Sequence, residues 1–166
     1  MDKFLTSMNI KDPGLNILPP GVERYVVNGG GLTGFQIFPD DEIEIINNEG
    51  NQICEISVFN KEGKSEPAIL NLKENNNASE IKKILSKKDE SSLIAFHQLK
   101  KRNLDISKSK SSIIFDKDTS WGEKVKIKSK DKCYCIFAAP GSEMLVSEQN
   151  PPTDLTIFVK RAKITK

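Results

Sequence analysis

The sequence is poor in the residues from which metal and nucleophile sites are built. It has one histidine, His97, and three cysteines, Cys54, Cys133 and Cys135. A zinc site needs three or four convergent donors, and a lone histidine has no second one to begin with. An odd cysteine count without a Cys-x-x-Cys spacing argues against a disulfide framework. Long apolar runs are missing too: no window approaches the roughly 18 residues that read as a membrane span, so no membrane partner is expected. Neither sign of charge is in excess. The 25 basic and 23 acidic residues leave +2, without the clustered surplus that tracks phosphate, so nucleic acid is not an expected partner. The opening MDKFLTSMNIKDPG holds no apolar run long enough for a signal peptide, and the expected compartment is the cytoplasm.

What is present suits one β-rich domain. At 166 residues, with 37% hydrophobic residues, the chain is long enough to bury a core without staples. Residues 1–20 carry Pro13, Gly14, Pro19 and Pro20 and read as an extended arm. Residues 21–162 read as the domain, with a helical insertion at about 79–103, and 163–166 as a tail or the start of a linker. GVERYVVN at 21–28 is a first strand. Gly29, Gly31 and Gly34 match Gly-x-Gly-x-x-Gly, but LTGFQIFPDD follows in β spacing, so no helix is available to hold pyrophosphate. The cluster reads as a tight turn between strands.

Residues 40–60, DDEIEIINNEGNQICEISVFN, read as a central hairpin turning at Asn47, Asn48, Glu49 and Gly50. Period-2 alternation sets Ile43 and Ile45 opposite Glu42 and Glu44, and Cys54, Ile56 and Val58 opposite Ile53, Glu55, Ser57 and Phe59. Ser79 is a candidate cap for a helix through Ile81, Ile84 and Leu85. A second helix spans 90–103, with Leu93, Phe96, His97 and Lys100 on one side and Lys100, Lys101 and Arg102 as a solvated basic end. Residues 107–112 form a Ser/Lys linker. Beyond it, Trp121, Glu123, Val125 and Ile127 alternate with Gly122, Lys124, Lys126 and Lys128 in a half-exposed strand. CYCIFAA at 133–139 is apolar on both faces and reads as a strand covered on both sides. Residues 142–150 form a loop or short helical turn, and the last strand aligns Leu155, Ile157 and Val159. The fold class is mainly β with two short helices, a β-sandwich or distorted barrel in a single domain.

Among these residues Glu55 is the candidate catalytic acid, with a raised pKa if it lies in a dry pocket. The alternative is a solvent-facing or lysine-paired glutamate. Cys133 and Cys135 project from one strand face and are the candidate metal pair, for which only Cys54 and His97 remain as further donors. Packing accounts for Cys54, and packing or surface duty for His97.

Two groups of residues carry a resemblance. The segment 41–60 is similar to the opening of the urea-carboxylase-associated family. DTSWGE at 118–123 and AAPGSEMLVSEQNPPTDLTIFVKR at 138–161 resemble the N-terminal module ahead of a urea-carboxylase-associated domain and a folate-binding, glycine-cleavage-T-like aminomethyltransferase domain. That architecture belongs to trimethylamine N-oxide demethylases and related enzymes of methylated-amine metabolism. The resemblance spans roughly residues 17–163. It implies a parent enzyme that splits trimethylamine N-oxide to dimethylamine and formaldehyde at a zinc site, with tetrahydrofolate accepting the one-carbon unit. It also implies zinc cysteines in a following domain, so none carries onto Cys54, Cys133 or Cys135, and no cofactor is expected in this chain. Where the family has an aspartate in the second strand, this chain has Glu55, and the downstream His, Asp and Cys motifs are missing.

Three readings result. The first is a non-catalytic structural or interaction module, partnered by downstream catalytic domains of the same polypeptide or by its own copies. The second is a stand-alone enzyme of the urea-carboxylase-associated type using Glu55 with a metal. The third is a β domain that binds a small organic cation through Tyr25, Phe35 or Trp121.

Overall fold

The computed structural model describes residues 18–141 and 151–163. Its eight strands are β1 (Val22–Val27), β2 (Leu32–Ile37), β3 (Glu42–Asn47), β4 (Cys54–Phe59), β5 (Ser111–Ile114), β6 (Glu123–Lys128), β7 (Cys133–Ala138) and β8 (Leu155–Lys160). A 3-10 turn, Pro67–Leu70, and two helices, α1 (Glu80–Ser86) and α2 (Glu90–Lys101), stand between β4 and β5. The strands form two antiparallel sheets, ordered β1-β8-β3-β6 and β2-β7-β4-β5. That order is a jelly roll, in which the chain passes repeatedly from one sheet to the other. The mainly β sandwich expected from the alternation is what forms.

Alternation accounts for the core. Ile43 and Ile45 of β3, with Leu155, Ile157 and Val159 of β8, face Phe35, Ile56, Val58 and Phe137 of the opposite sheet. Each fully buried aliphatic side chain contributes about 1.5–3 kcal/mol. A second apolar layer lies outside the β2-β7-β4-β5 sheet, where Ile81, Leu85 and Leu99 of the helices pack on Phe59, Ile136 and Ala138. This explains why β4 is buried at every position and why the CYCIFAA strand is apolar on both faces. Among the described residues no helix is long and apolar enough to cross a membrane.

Five local expectations are corrected. Residues 40–60 are not a hairpin: β3 pairs with β6 and β8, and β4 with β5 and β7. The two strands face each other across the core as an arch. The loop between them is built on Gly50 (φ 78°) and Asn51 (φ 56°) and folds over the buried Gln52. The Gln52 amide donates to the Pro140 carbonyl and accepts from the Thr153 N–H, both at 2.8 Å. A cross-sheet tether of this kind replaces a hairpin turn. Ser79 makes no side-chain capping bond. The buried face of α2 is Ser92 and Leu99, with Ala95 partly buried, while Leu93 and Phe96 are exposed. Ser111 and Ser112 belong to β5 rather than to a linker, and Trp121 lies outside β6 with 81% of its surface exposed. The reading of residues 142–150, like residues 1–17 of the arm and 164–166 of the tail, lies outside the described residues.

Candidate functional site

Glu55 sits on the outward side of β4, where the sheet meets the helices, and is 1% exposed. The backbone N–H groups of Glu80 and Ile81 donate to its two carboxyl oxygens at 2.9 and 3.2 Å. The first amides of a helix have no partner within it, and the helix dipole favours an acidic group at that end. Glu55 thus caps α1 from a neighbouring strand. It is neither solvent-facing nor lysine-paired.

Cys133 and Cys135 do project from one face, with sulfurs 3.6 Å apart. They point into the inter-sheet core that also holds Cys54. Cys135 and Ser129 lie within hydrogen-bonding reach of the Cys133 sulfur, and the Cys135 thiol draws the Cys133 pKa below its usual value. The same contact, with burial, pushes Cys135 up, while burial and then the nearby Glu55 push Cys54 up. His97 lies on an exposed part of α2, beyond the opposite face of the sheet, and the fold does not bring it to the cysteines. Among the described residues no group of three or more His, Cys, Asp and Glu side chains is placed to hold a metal ion. Nor do the three aromatics form a cage. Tyr25 stacks on Phe35 at 4.1 Å, Phe137 covers Phe35 at 5.1 Å, and Trp121 stands out in solvent.

Two arrangements escaped the sequence reading. The first is an ion-pair hub at the end of β8. Arg161 reaches Glu23, Asp41 at 2.7 Å and the Gln36 carbonyl at 2.9 Å. Asp41 also accepts from the Phe38 and Ala162 N–H groups, both at 2.9 Å, so the chain leaving β8 is fastened to the loop before β3. Burial opposes the charge on Arg161, yet the hydrogen bonds to Glu23 and Asp41 outweigh it and raise the pKa. The partners are too far apart in sequence for any spacing rule to find.

The second is the outward face of α2. Leu93, Ile94 and Phe96 are 52%, 51% and 41% exposed, half of the large hydrophobic side chains the described surface shows. Phe96 lines an apolar groove of about 390 Å3 with Leu85, Leu104 and Ile106, edged by Lys82 and Lys100. Residues 79–103 hold seven basic and three acidic residues, although the whole chain is nearly balanced. A contiguous apolar strip with a charged rim is the usual make-up of a protein-binding surface. Helix periodicity signals such a strip but does not say which strip faces inward.

Over 153 residues, 92% of its length, the chain is 31% identical to trimethylamine-oxide aldolase of Ruegeria pomeroyi. The match spans 19% of that enzyme, so the chain resembles one module of it. No protein-family model matches the chain.

Proposed function

We propose that the chain is a non-catalytic structural and interaction module of a folate-linked methylated-amine demethylase that converts trimethylamine N-oxide to dimethylamine and formaldehyde. The observation that carries this reading is the unpartnered apolar face of α2, Leu93, Ile94 and Phe96. A side chain in water gains about 25 cal/mol per Å2 of apolar area by being covered, and this face is edged by lysines that set the orientation of what covers it. The similarity to 19% of an aldolase supports a catalytic remainder as that cover. Zinc and tetrahydrofolate chemistry then belongs to the remainder. Within the module Glu55 serves packing, since both of its oxygens are engaged by α1.

The test is an assay of formaldehyde and dimethylamine from trimethylamine N-oxide. The isolated chain, supplied with zinc and tetrahydrofolate, is expected to release neither, and the full polypeptide that contains it to release both. Turnover by the isolated chain would overturn the proposal in favour of a stand-alone enzyme.

A further inference from the structure

The helices cover β4 and β7 but stop short of β2. Between β2 and the C-terminal half of α2 this leaves a cleft of about 590 Å3, on the opposite flank of α2 from Leu93 and Phe96. Its floor is apolar, built from Leu32, Ile136, Ala95 and Leu99. Gly34 lets the Tyr134 phenol lie across β2 at the edge of the cleft, because a Cβ there would stand 2.8 Å from the hydroxyl oxygen and 3.0 Å from the ring. The Arg102 guanidinium lies 4.5 Å from the centre of the Tyr134 ring, folded back over the cleft. Among the described residues the Tyr134 hydroxyl has no hydrogen-bond partner and Arg102 no ion pair. A smaller cleft of about 240 Å3 adjoins across the Arg102–Tyr134 stack and is lined by Lys132 and by Lys61, which pairs with Asp131 at 3.2 Å. No acidic residue lines either one.

These features select a ligand class. A concave site lined by one sign of charge focuses the opposite sign. The arginine fork matches a carboxylate or phosphate in two parallel hydrogen bonds. An organic cation is disfavoured, because Arg102 already occupies the face of Tyr134. The partial negative charge at the α2 C-terminus, about half an elementary charge, is outweighed by Lys100, Lys101 and Arg102. We propose that this cleft binds a small organic anion, its apolar or planar body on Leu32, Ile136 and Leu99 and its carboxylate or phosphate head on Arg102 and the Tyr134 hydroxyl. The site does not depend on the docking role of the other flank of α2.

The test is a titration of the 15N-labelled chain, followed by amide shifts, with benzoate, phenyl phosphate, inorganic phosphate and benzyltrimethylammonium. Saturable shifts at Leu32, Gly34 and Tyr134 are expected with benzoate or phenyl phosphate, and whichever binds more tightly identifies the head group. Arg102→Gln, at an exposed position, is expected to weaken binding about tenfold, the effect of losing a charge-assisted hydrogen bond. Leu93→Ser, across the helix, should leave it unchanged. The proposal fails if neither organic anion saturates by about 10 mM. It also fails if inorganic phosphate alone binds, if benzyltrimethylammonium binds as well as the anions, or if Arg102→Gln leaves affinity unaltered.

Discussion

Replacing Glu55 by alanine strips two α1 amides of their acceptor and leaves a hole beside β4. Each unsatisfied buried donor costs about 1–3 kcal/mol, so Glu55→Ala should destabilise the chain by about 3 kcal/mol and lower Tm by roughly 6–12 °C in a thermal melt. Glu55→Gln keeps one acceptor oxygen and should lose less. An alanine variant as stable as the parent would show that the cap contributes nothing. The alternation in residues 40–60 places Glu55 on the face away from Cys54 correctly. What it faces is invisible in sequence, because the helix start that uses it is 25 residues away. Glu23 is a second case. Its hydrogen bond with Arg161 chiefly holds its pKa below the ordinary 4.5, against opposing burial. The folded-state pKa is thus depressed, so the stabilisation is present above the ordinary value and fades as pH falls through the folded one. Discounted for solvent screening at this half-exposed side chain, it amounts to less than about 1 kcal/mol. Urea midpoints measured from about pH 7 down to 3 should fall less steeply for Glu23→Gln than for the parent.

At the scale of elements, α2 carries two apolar strips, and periodicity found the one that faces solvent. Ser92 and Ala95 are small, which lets the helix lie close to the sheet, while the larger Leu93 and Phe96 are turned outward. The inward strip combines these two small residues with the large, buried Leu99, and no period tells which of two strips on a helix meets the sheet. Both side chains are already about half in water, so the double variant Leu93→Ser, Phe96→Ser should cost the isolated chain only about 1–3 kcal/mol by urea unfolding, well below the loss of two fully buried side chains. On the proposed docking role, the same pair placed in a polypeptide that joins this module to a catalytic remainder should loosen the two, seen as faster limited proteolysis between them. Unchanged proteolysis would remove α2 as the contact. The arch between β3 and β4 has the same lesson. Two alternating strands joined by a polar loop look identical whether they lie side by side or face to face, and the tether through Gln52 is made to Pro140 and Thr153, far along the chain.

For the whole molecule, the strands and their inward faces were legible because burial on one side imposes a period of two. Their assignment to sheets was not, because every ladder except β4–β5 joins strands that have other strands between them in the chain. All three cysteines lie inside the sandwich and are free. A thiol reagent should thus modify the native protein only as fast as the sheets part, and all three sites promptly in denaturant. Fast reaction of the native protein would place a sulfur nearer the surface than the core packing does.

The central positions of the two sheets have a further consequence during synthesis. β8 lies between β1 and β3, and β7 between β2 and β4, so an inner strand of each sheet is among the last of the eight strands to leave the ribosome. Until residue 138 emerges, β2 and β4 have no shared neighbour, and until residue 160 emerges neither have β1 and β3. While these eight strands are being made the nascent chain therefore displays unpaired strand edges, a state prone to wrong pairing and well served by chaperones. A ribosome stalled before β8 should hold a protease-sensitive chain, and one stalled after it has emerged a resistant one.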